Sequence, residues 1–229
     1  MDSNRKNICK DCKEICDFIE QLDVESKDIY LKSLITIRYK KRETIIKQNN
    51  HSTHLIYLKS GLVKVFTERN NDKNIILKII TPNNFINLSE LCSDIYNFSC
   101  VALKDCEICL MPKEQFLNLI NHNKNLTFPI LELYSKFTKL LLDKISSLGT
   151  KQMHGRLADV ILYLCGIELN NTDVFDFLTR RDIAEMSGMS SESAIRLLTE
   201  FKNDGLIKTN GKKIEINNLE LITRLSEIG

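Results

Sequence analysis

The chain has 229 residues, of which 43% are hydrophobic and 27% charged, with 32 Lys+Arg against 30 Asp+Glu. Those proportions exclude wholesale disorder, and three prolines with eight glycines exclude a collagen-like or Pro/Gly-rich chain. A net charge of +2 singles out no acidic partner. No apolar run approaches the roughly 18 residues that a membrane helix needs, and the opening Met1-Asp2-Ser3-Asn4-Arg5-Lys6 carries no export signal. No membrane partner is therefore expected, and the eight cysteines read as thiols or metal ligands in the reducing cytoplasm.

Residues 1–20 form a charged segment holding Cys9, Cys12 and Cys16, and residues 21–36 read as a short helix using Leu22, Ile29, Leu31 and Leu34. From Ile37 to Met111 the pattern changes to short β-type runs. These are Thr44-Ile45-Ile46, Leu55-Ile56-Tyr57-Leu58, Leu62-Val63-Lys64-Val65-Phe66, Ile75 to Ile80, and Ile108-Cys109-Leu110-Met111. Ser60-Gly61, Asn70-Asn71-Asp72 and Pro82-Asn83-Asn84 supply turn chemistry between them. Many short strands joined by tight turns predict a small barrel or sandwich, and the β section closes at residue 124.

A helical period returns over 125–149. Ile130, Leu133, Phe137, Leu140, Leu141, Lys144 and Leu148 recur near heptad spacing, Pro129 suits a first turn, and Gly149 terminates. An apolar seam of this length has two uses, packing against its own domain or contact with a second copy of the chain, and the second is the one expected.

Residues 150–229 carry the most specific signal. After a helix over 156–169 and a loop at Asn170–Asp173, Thr179 caps Arg180 to Met186, and Ser187-Gly188-Met189 provides a tight corner. Ser190 or Ser191 caps a second helix, Glu192 to Lys202, with Ala194, Leu197, Leu198 and Phe201 as its buried stripe. Asp204-Gly205 ends it, and two short strands around Asn210-Gly211 spell a hairpin. Helix, turn, helix and wing within 40 residues make a winged helix-turn-helix, so double-stranded DNA is the expected partner. Charge is weaker support: residues 151–229 hold ten Lys+Arg against twelve Asp+Glu. Locally, Arg180, Arg181, Lys208, Lys212 and Lys213, with the hydroxyls of Thr179, Ser190 and Ser193, surround the turn and wing where phosphates lie.

The segment Ser190-Ser191-Glu192-Ser193-Ala194-Ile195-Arg196-Leu197-Leu198 resembles the recognition-helix motif Ser/Thr-x-Glu-Thr-x-x-Arg-x-Leu of the Crp/Fnr family of bacterial transcription regulators. Leu55 to Gly61 is similar to the family's β-roll, helix 125–149 to its dimer helix, and Gly155-Arg156-Leu157-Ala158 to the entry of its DNA domain. The resemblance implies an α+β chain. An N-terminal jelly-roll-like β-roll is followed by a long dimerisation helix and a C-terminal winged helix-turn-helix domain. It implies a homodimer on a palindromic operator, with RNA polymerase as a further partner if the protein is an activator. By the same resemblance Glu192 and Arg196 reach base edges, as the TGA core shared by many family half-sites implies, while Ser191 and Ile195 tune specificity. The chemistry suits those roles, since Glu accepts from cytosine N4 and Arg donates to guanine O6 and N7.

Two kinds of signal input are open. In cyclic-AMP-binding members a Gly-Glu pair and an Arg-Ser pair hold ribose and phosphate, but this chain has Asn87-Leu88 and Phe98-Ser99 in those places. Phe98 cannot pair with a cyclic phosphate, so cyclic AMP is not expected, while another effector remains compatible with the pocket of Asn87, Leu88, Phe98 and Ser99. Cys9, Cys12, Cys16 and Cys109 instead resemble the four cysteines that hold a [4Fe–4S] cluster in the Fnr branch, although the third spacing is short for that branch. The same thiols suit tetrahedral zinc with Cys109, His51 or His54. Positions 9, 12, 16 and 19 also share a helical face, which equally suits buried apolar packing. An enzyme is not expected: there is no Gly-rich phosphate loop, His-Glu-x-x-His or Gly-x-Ser-x-Gly.

Overall fold

The computed structural model describes residues 7–8, 22, 24–69, 74–168 and 174–229. It divides into two compact units, Met1–Val65 with Ile79–Lys139, and Phe66–Lys78 with Leu140–Gly229. Among the described residues no helix is long and apolar enough to cross a membrane. The turn expected at Asn70-Asn71-Asp72, the loop at Asn170–Asp173, and Cys9, Cys12, Cys16 and Ile19 lie outside the described residues.

Two antiparallel sheets build the roll. One has the order β1 (Asn7–Ile8), β2 (Ile35–Tyr39), β9 (Cys106–Pro112), β4 (His54–Ser60), β7 (Asn84–Phe85). The other runs β3 (Thr44–Ile46), β8 (Ser99–Ala102), β5 (Val63–Thr67), β6 (Ile75–Ile80). All five expected strand runs are present. After β1, which the charged N-terminal segment gave no sign of, the strands resume at Ile35, two residues earlier than the pattern suggested, so the first helix, α1 (Val24–Ser33), is shorter than residues 21–36. The short strands β2, β7 and β8 and the helix α2 (Lys113–His122) were not legible. Asn84, read as turn chemistry, pairs with Leu58 as part of β7.

The continuous apolar run in β4 has a simple cause: both of its faces are covered. Successive strand side chains point to opposite sides. Leu55 and Tyr57 face a cluster with Leu22, Tyr30 and Leu34 on one side of the chain and Phe116, Leu119, Leu126 and Ile130 on the other. Ile56 and Leu58, of opposite parity, are buried as well. Phe85 joins this cluster edge-on between Tyr57 and Phe116, with ring centroids 5.3 and 5.8 Å away. In the Ser60-Gly61 turn, Gly61 takes φ +105°, and a Cβ there would lie 2.6 Å from the Asp105 carbonyl oxygen, so only glycine fits.

A 3-10 turn, Lys124–Leu126, leads into helix α3 (Thr127–Thr150). Gly149 lies inside the last turn of α3 rather than ending it. Helix α4 (Met153–Glu168) follows, then α5 (Arg180–Ser187), α6 (Ser191–Asn203), the strand pair β10 (Ile207–Asn210) and β11 (Lys213–Ile216), and α7 (Leu219–Ile228). The last of these helices carries no motif and was not anticipated. The register Asn210↔Lys213 makes the wing's loop Gly211-Lys212 rather than Asn210-Gly211. Of those two residues only Gly211 has positive φ, at +59°, which is the pattern of a hairpin turn with glycine in first place.

Candidate nucleic-acid interface

The interface is built from two capped helices and the corner between them. Thr179 accepts from the Asp182 amide at 3.1 Å, and the Asp182 carboxylate accepts from the Thr179 amide at 2.8 Å, a reciprocal box that starts α5. Gly188, left-handed at φ +62°, closes α5, its amide donating to Ala184. Ser190 then caps α6 by accepting from the Ser193 amide at 3.2 Å. The buried stripe is the expected one, Ala194, Leu197, Leu198 and Phe201.

That stripe fixes which side chains face outward. Glu192, Ile195 and Arg196 are exposed and Ser191 is half-buried at the first helical position. The Glu192 pKa is lowered by its own backbone amide and by the Ser190 hydroxyl, so it is an anion and a hydrogen-bond acceptor at neutral pH. Among the described residues Glu192 and Arg196 form no ion pair with one another, although they stand one helical turn apart.

The cations around this face have defined partners. Arg180 reaches from α5 to the wing, donating to the Gly211 carbonyl at 3.3 Å, and Lys212 donates to the Asp176 carbonyl at 3.2 Å. Arg181 pairs with Glu185 at 2.8 Å. Lys213 lies 3.8 Å from Glu215, and Lys208 is exposed opposite Glu215 in the wing register. The Ser193 hydroxyl accepts from that of Ser190 at 3.2 Å.

On α3, the seam read from the sequence points mostly back into the protein. Ile130 is buried in the roll cluster, Phe137, Leu140, Leu141 and Leu148 are half-buried, and the Lys144 ammonium donates to the Met186 carbonyl. Leu133 is at the margin of exposure. A different apolar set is exposed: Phe128 (80%), Leu131 (60%), Leu142 (61%) and Ile145 (67%), with Tyr134 beside them. Together with Ser135, Thr138 and Gly149 these residues step by three and four, the spacing of a coiled-coil seam. The helix carries two apolar stripes, and spacing alone does not say which one the chain covers itself.

The expected effector residues are consumed by the fold. Asn87 is fully buried, its Oδ1 accepting from the Ile56 amide at 2.8 Å and its Nδ2 donating to the His54 carbonyl at 2.9 Å. The Ser99 hydroxyl accepts from the Gln48 amide at 2.8 Å. Leu88 and Phe98 are buried, and Phe98 supplies no charge for a phosphate.

Cys109 sits on β9 within the apolar cluster, 3% exposed, and desolvation pushes its thiol pKa up. Thr36 stands opposite Cys109, and Asn7 opposite Thr36, so the chain at Asn7-Ile8 lies two strands away. His54 pairs with Pro112 and His51 bridges Ile95, and among the described residues no group of His, Cys, Asp and Glu gathers as a metal site.

Comparison with known proteins agrees with this architecture. Residues 36–123 match the cyclic nucleotide-binding domain, and residues 155–225 match the Crp-like helix-turn-helix domain. The chain is 22% identical to the transcriptional activator protein FnrA of Stutzerimonas stutzeri, across 93% of this chain and 90% of that one. It is 24% identical to the cAMP-activated global transcriptional regulator CRP of Salmonella typhimurium, across 78% of this chain and 88% of that one. A solved Crp/Fnr-family regulator from Eubacterium rectale superposes with a TM-score of 0.73 at 23% identity, across 92% of this chain and 98% of that one. Roll, long helix and winged helix-turn-helix, matched in this order along the chain, make the protein a member of the Crp/Fnr family of DNA-binding transcription regulators.

Proposed function

We propose that the protein acts as a homodimer that reads a palindromic operator through α6, with Glu192 and Arg196 on base edges and Ser191 and Ile195 setting preference between operators. The observation that carries this reading is the outward face of α6, where an ionised acceptor and a five-donor guanidinium stand one turn apart and unpaired with each other. The exposed stripe Phe128, Leu131, Leu142 and Ile145 supports the dimer, and a two-fold dimer demands a two-fold site. Thr179, Arg180, Arg181, Ser190, Ser193, Lys208, Lys212 and Lys213 surround this face and would anchor phosphates. Selection of duplexes from a random pool tests the reading: enrichment of an inverted repeat supports it, and no enrichment rejects it.

For the signal, the proposal is a [4Fe–4S] cluster held by Cys9, Cys12, Cys16 and Cys109. When bound, such a cluster supplies oxidant-sensitive one-electron chemistry. The strand pairing that sets Asn7-Ile8 two strands from Cys109 supports it, at a separation of about 10 Å. The apolar setting of Cys109 requires that its thiol lose a proton as iron binds. That same burial favours a second reading, in which the cysteines are structural, or hold zinc, and an effector other than cyclic AMP acts on the roll. Anaerobic purification with iron, sulfide and zinc analysis separates the two. About four iron per chain, absent in Cys109→Ala, supports the cluster; zinc, or no metal, supports the second reading.

A further inference from the structure

The inward face of α3 meets the helix-turn-helix at its corner. Helix α5 has only eight residues, and its last carbonyls lack partners within the helix. Two cations from outside the motif take up carbonyls at this end. Lys144 of α3 donates to the Met186 carbonyl, and Arg156 of α4 donates through Nη1 to the Gly188 carbonyl at 3.2 Å. Leu148, one turn beyond Lys144, lies against Gly188 so closely that a Cβ on Gly188 would overlap its Cδ2. A cation at a helix C-terminus is also favoured by the helix dipole.

The end of α3 is itself tied down. Asp159 on α4 accepts from the Ser147 hydroxyl at 2.5 Å, from the Lys151 ammonium at 2.9 Å, and from the Ser226 hydroxyl on α7 at 2.5 Å. Lys144, Ser147 and Leu148 therefore form one face of α3 directed at the DNA-binding helices, with Lys151 just past its end. Leu142 and Ile145 lie on another face of the same turns and are exposed. The corner held by Lys144 leads directly into Ser190 and the first turn of α6.

We propose that Lys144 is a positioning residue for operator readout: from α3 it holds the Met186 carbonyl and so sets the corner from which α6 projects Glu192 and Arg196. This rests on the proposed reading of DNA by α6. A misplacement of that face by a fraction of an ångström disrupts base-edge hydrogen bonds, which need defined geometry, while contacts to phosphates tolerate it.

The test compares wild type, Lys144→Met and Lys144→Arg on two duplexes: one that the wild type enriches from a random pool, and an unrelated one of equal length. Lys144→Met is expected to weaken binding to the enriched duplex about tenfold and leave the unrelated duplex unchanged, with dimer mass unaltered. Lys144→Arg, which keeps a charged donor of similar reach, is expected to restore most of that loss. Should the Met variant not fold, Lys144→Gln, too short to reach Met186, takes its place with the same expectations. A Met or Gln variant that binds both duplexes like wild type, or weakens on both equally, overturns the inference. So does failure of Lys144→Arg to recover binding. A wild type that enriches no sequence overturns the reading of DNA by α6, and this inference with it; the other failures leave that reading standing.

Discussion

Glu192 and Arg196 stand one turn apart on the exposed face of α6, and no ion pair joins them. At i and i+4 on a solvated helix an acid and a guanidinium gain a few tenths of a kcal/mol by pairing. The carboxylate pKa is lowered by the backbone amide of Glu192 itself and by the nearby Ser190 hydroxyl, so the acid stays an anion without Arg196.

This separation predicts distinct roles for the two kinds of cation. Arg196→Ala is expected to cost about 1–3 kcal/mol on the enriched operator and to relax base preference. Lys212→Ala is expected to weaken all duplexes by a similar factor and to lower the salt slope by about one unit. Binding isotherms on operator and unrelated DNA across a salt series check both. Identical behaviour of the two variants would remove the assignment of Arg196 to base readout.

The exposed stripe on α3 predicts where self-association fails. Burying a leucine or isoleucine side chain is worth about 2 kcal/mol. Truncating Leu142 and Ile145 together to alanine is therefore expected to weaken the dimer by at least about 100-fold. Sedimentation equilibrium reads this directly. Since neither side chain is covered within its own chain, the melting temperature of the DNA-binding domain should hardly change.

Gly188→Ala tests the corner. Alanine pays about 1–2 kcal/mol for the left-handed conformation, and its Cβ also overlaps Leu148 Cδ2. A total loss of about 2–3 kcal/mol is expected in chemical denaturation. Adding Leu148→Ala should relieve the overlap and leave the backbone cost, so that the two substitutions are non-additive.

Lys144 also predicts a pH dependence. Burial brings its pKa down from 10.5 to about 8, against an opposing pull from Asp159 on α4. A lowered lysine pKa means that between these two values the unfolded state binds more protons than the folded one. Stability from this group is therefore lowest below pH 8, rises through the interval and levels off above pH 10.5. After allowance for partial solvent screening the gain is about 2 kcal/mol. The difference in unfolding free energy between wild type and Lys144→Met, followed across that interval, isolates it from the tyrosines and cysteines that titrate nearby.

The local, chemically marked elements could be read from the chain. Thr179 with Asp182, the Ser187-Gly188-Met189 corner and the stripe Ala194, Leu197, Leu198 and Phe201 are capping, chirality and periodicity, which act within a few residues. The β runs were legible for the same reason, because Leu55 to Leu58 must be apolar on both faces. Strands of two to five residues such as β2, β7 and β8 escaped, since their identity comes from the strand beside them and not from their own pattern. The helix α2 escaped likewise: Phe116 and Leu119 acquire their meaning only from the cluster they fill.

What the sequence determined by itself is the kind of protein: a roll, a long helix and a winged helix-turn-helix carrying Glu192 and Arg196 on one face. What only the tertiary structure decided is the partner of each ambiguous side chain. Lys144 and Leu148 turn inward to the DNA-binding corner while Leu142 and Ile145 stay exposed, and Asn87 and Ser99 spend their polar groups on the roll's own backbone. The physical reason is that periodicity reports which residues share a face. What covers that face is set by residues far away in the chain, whose contacts exist only once the chain has folded.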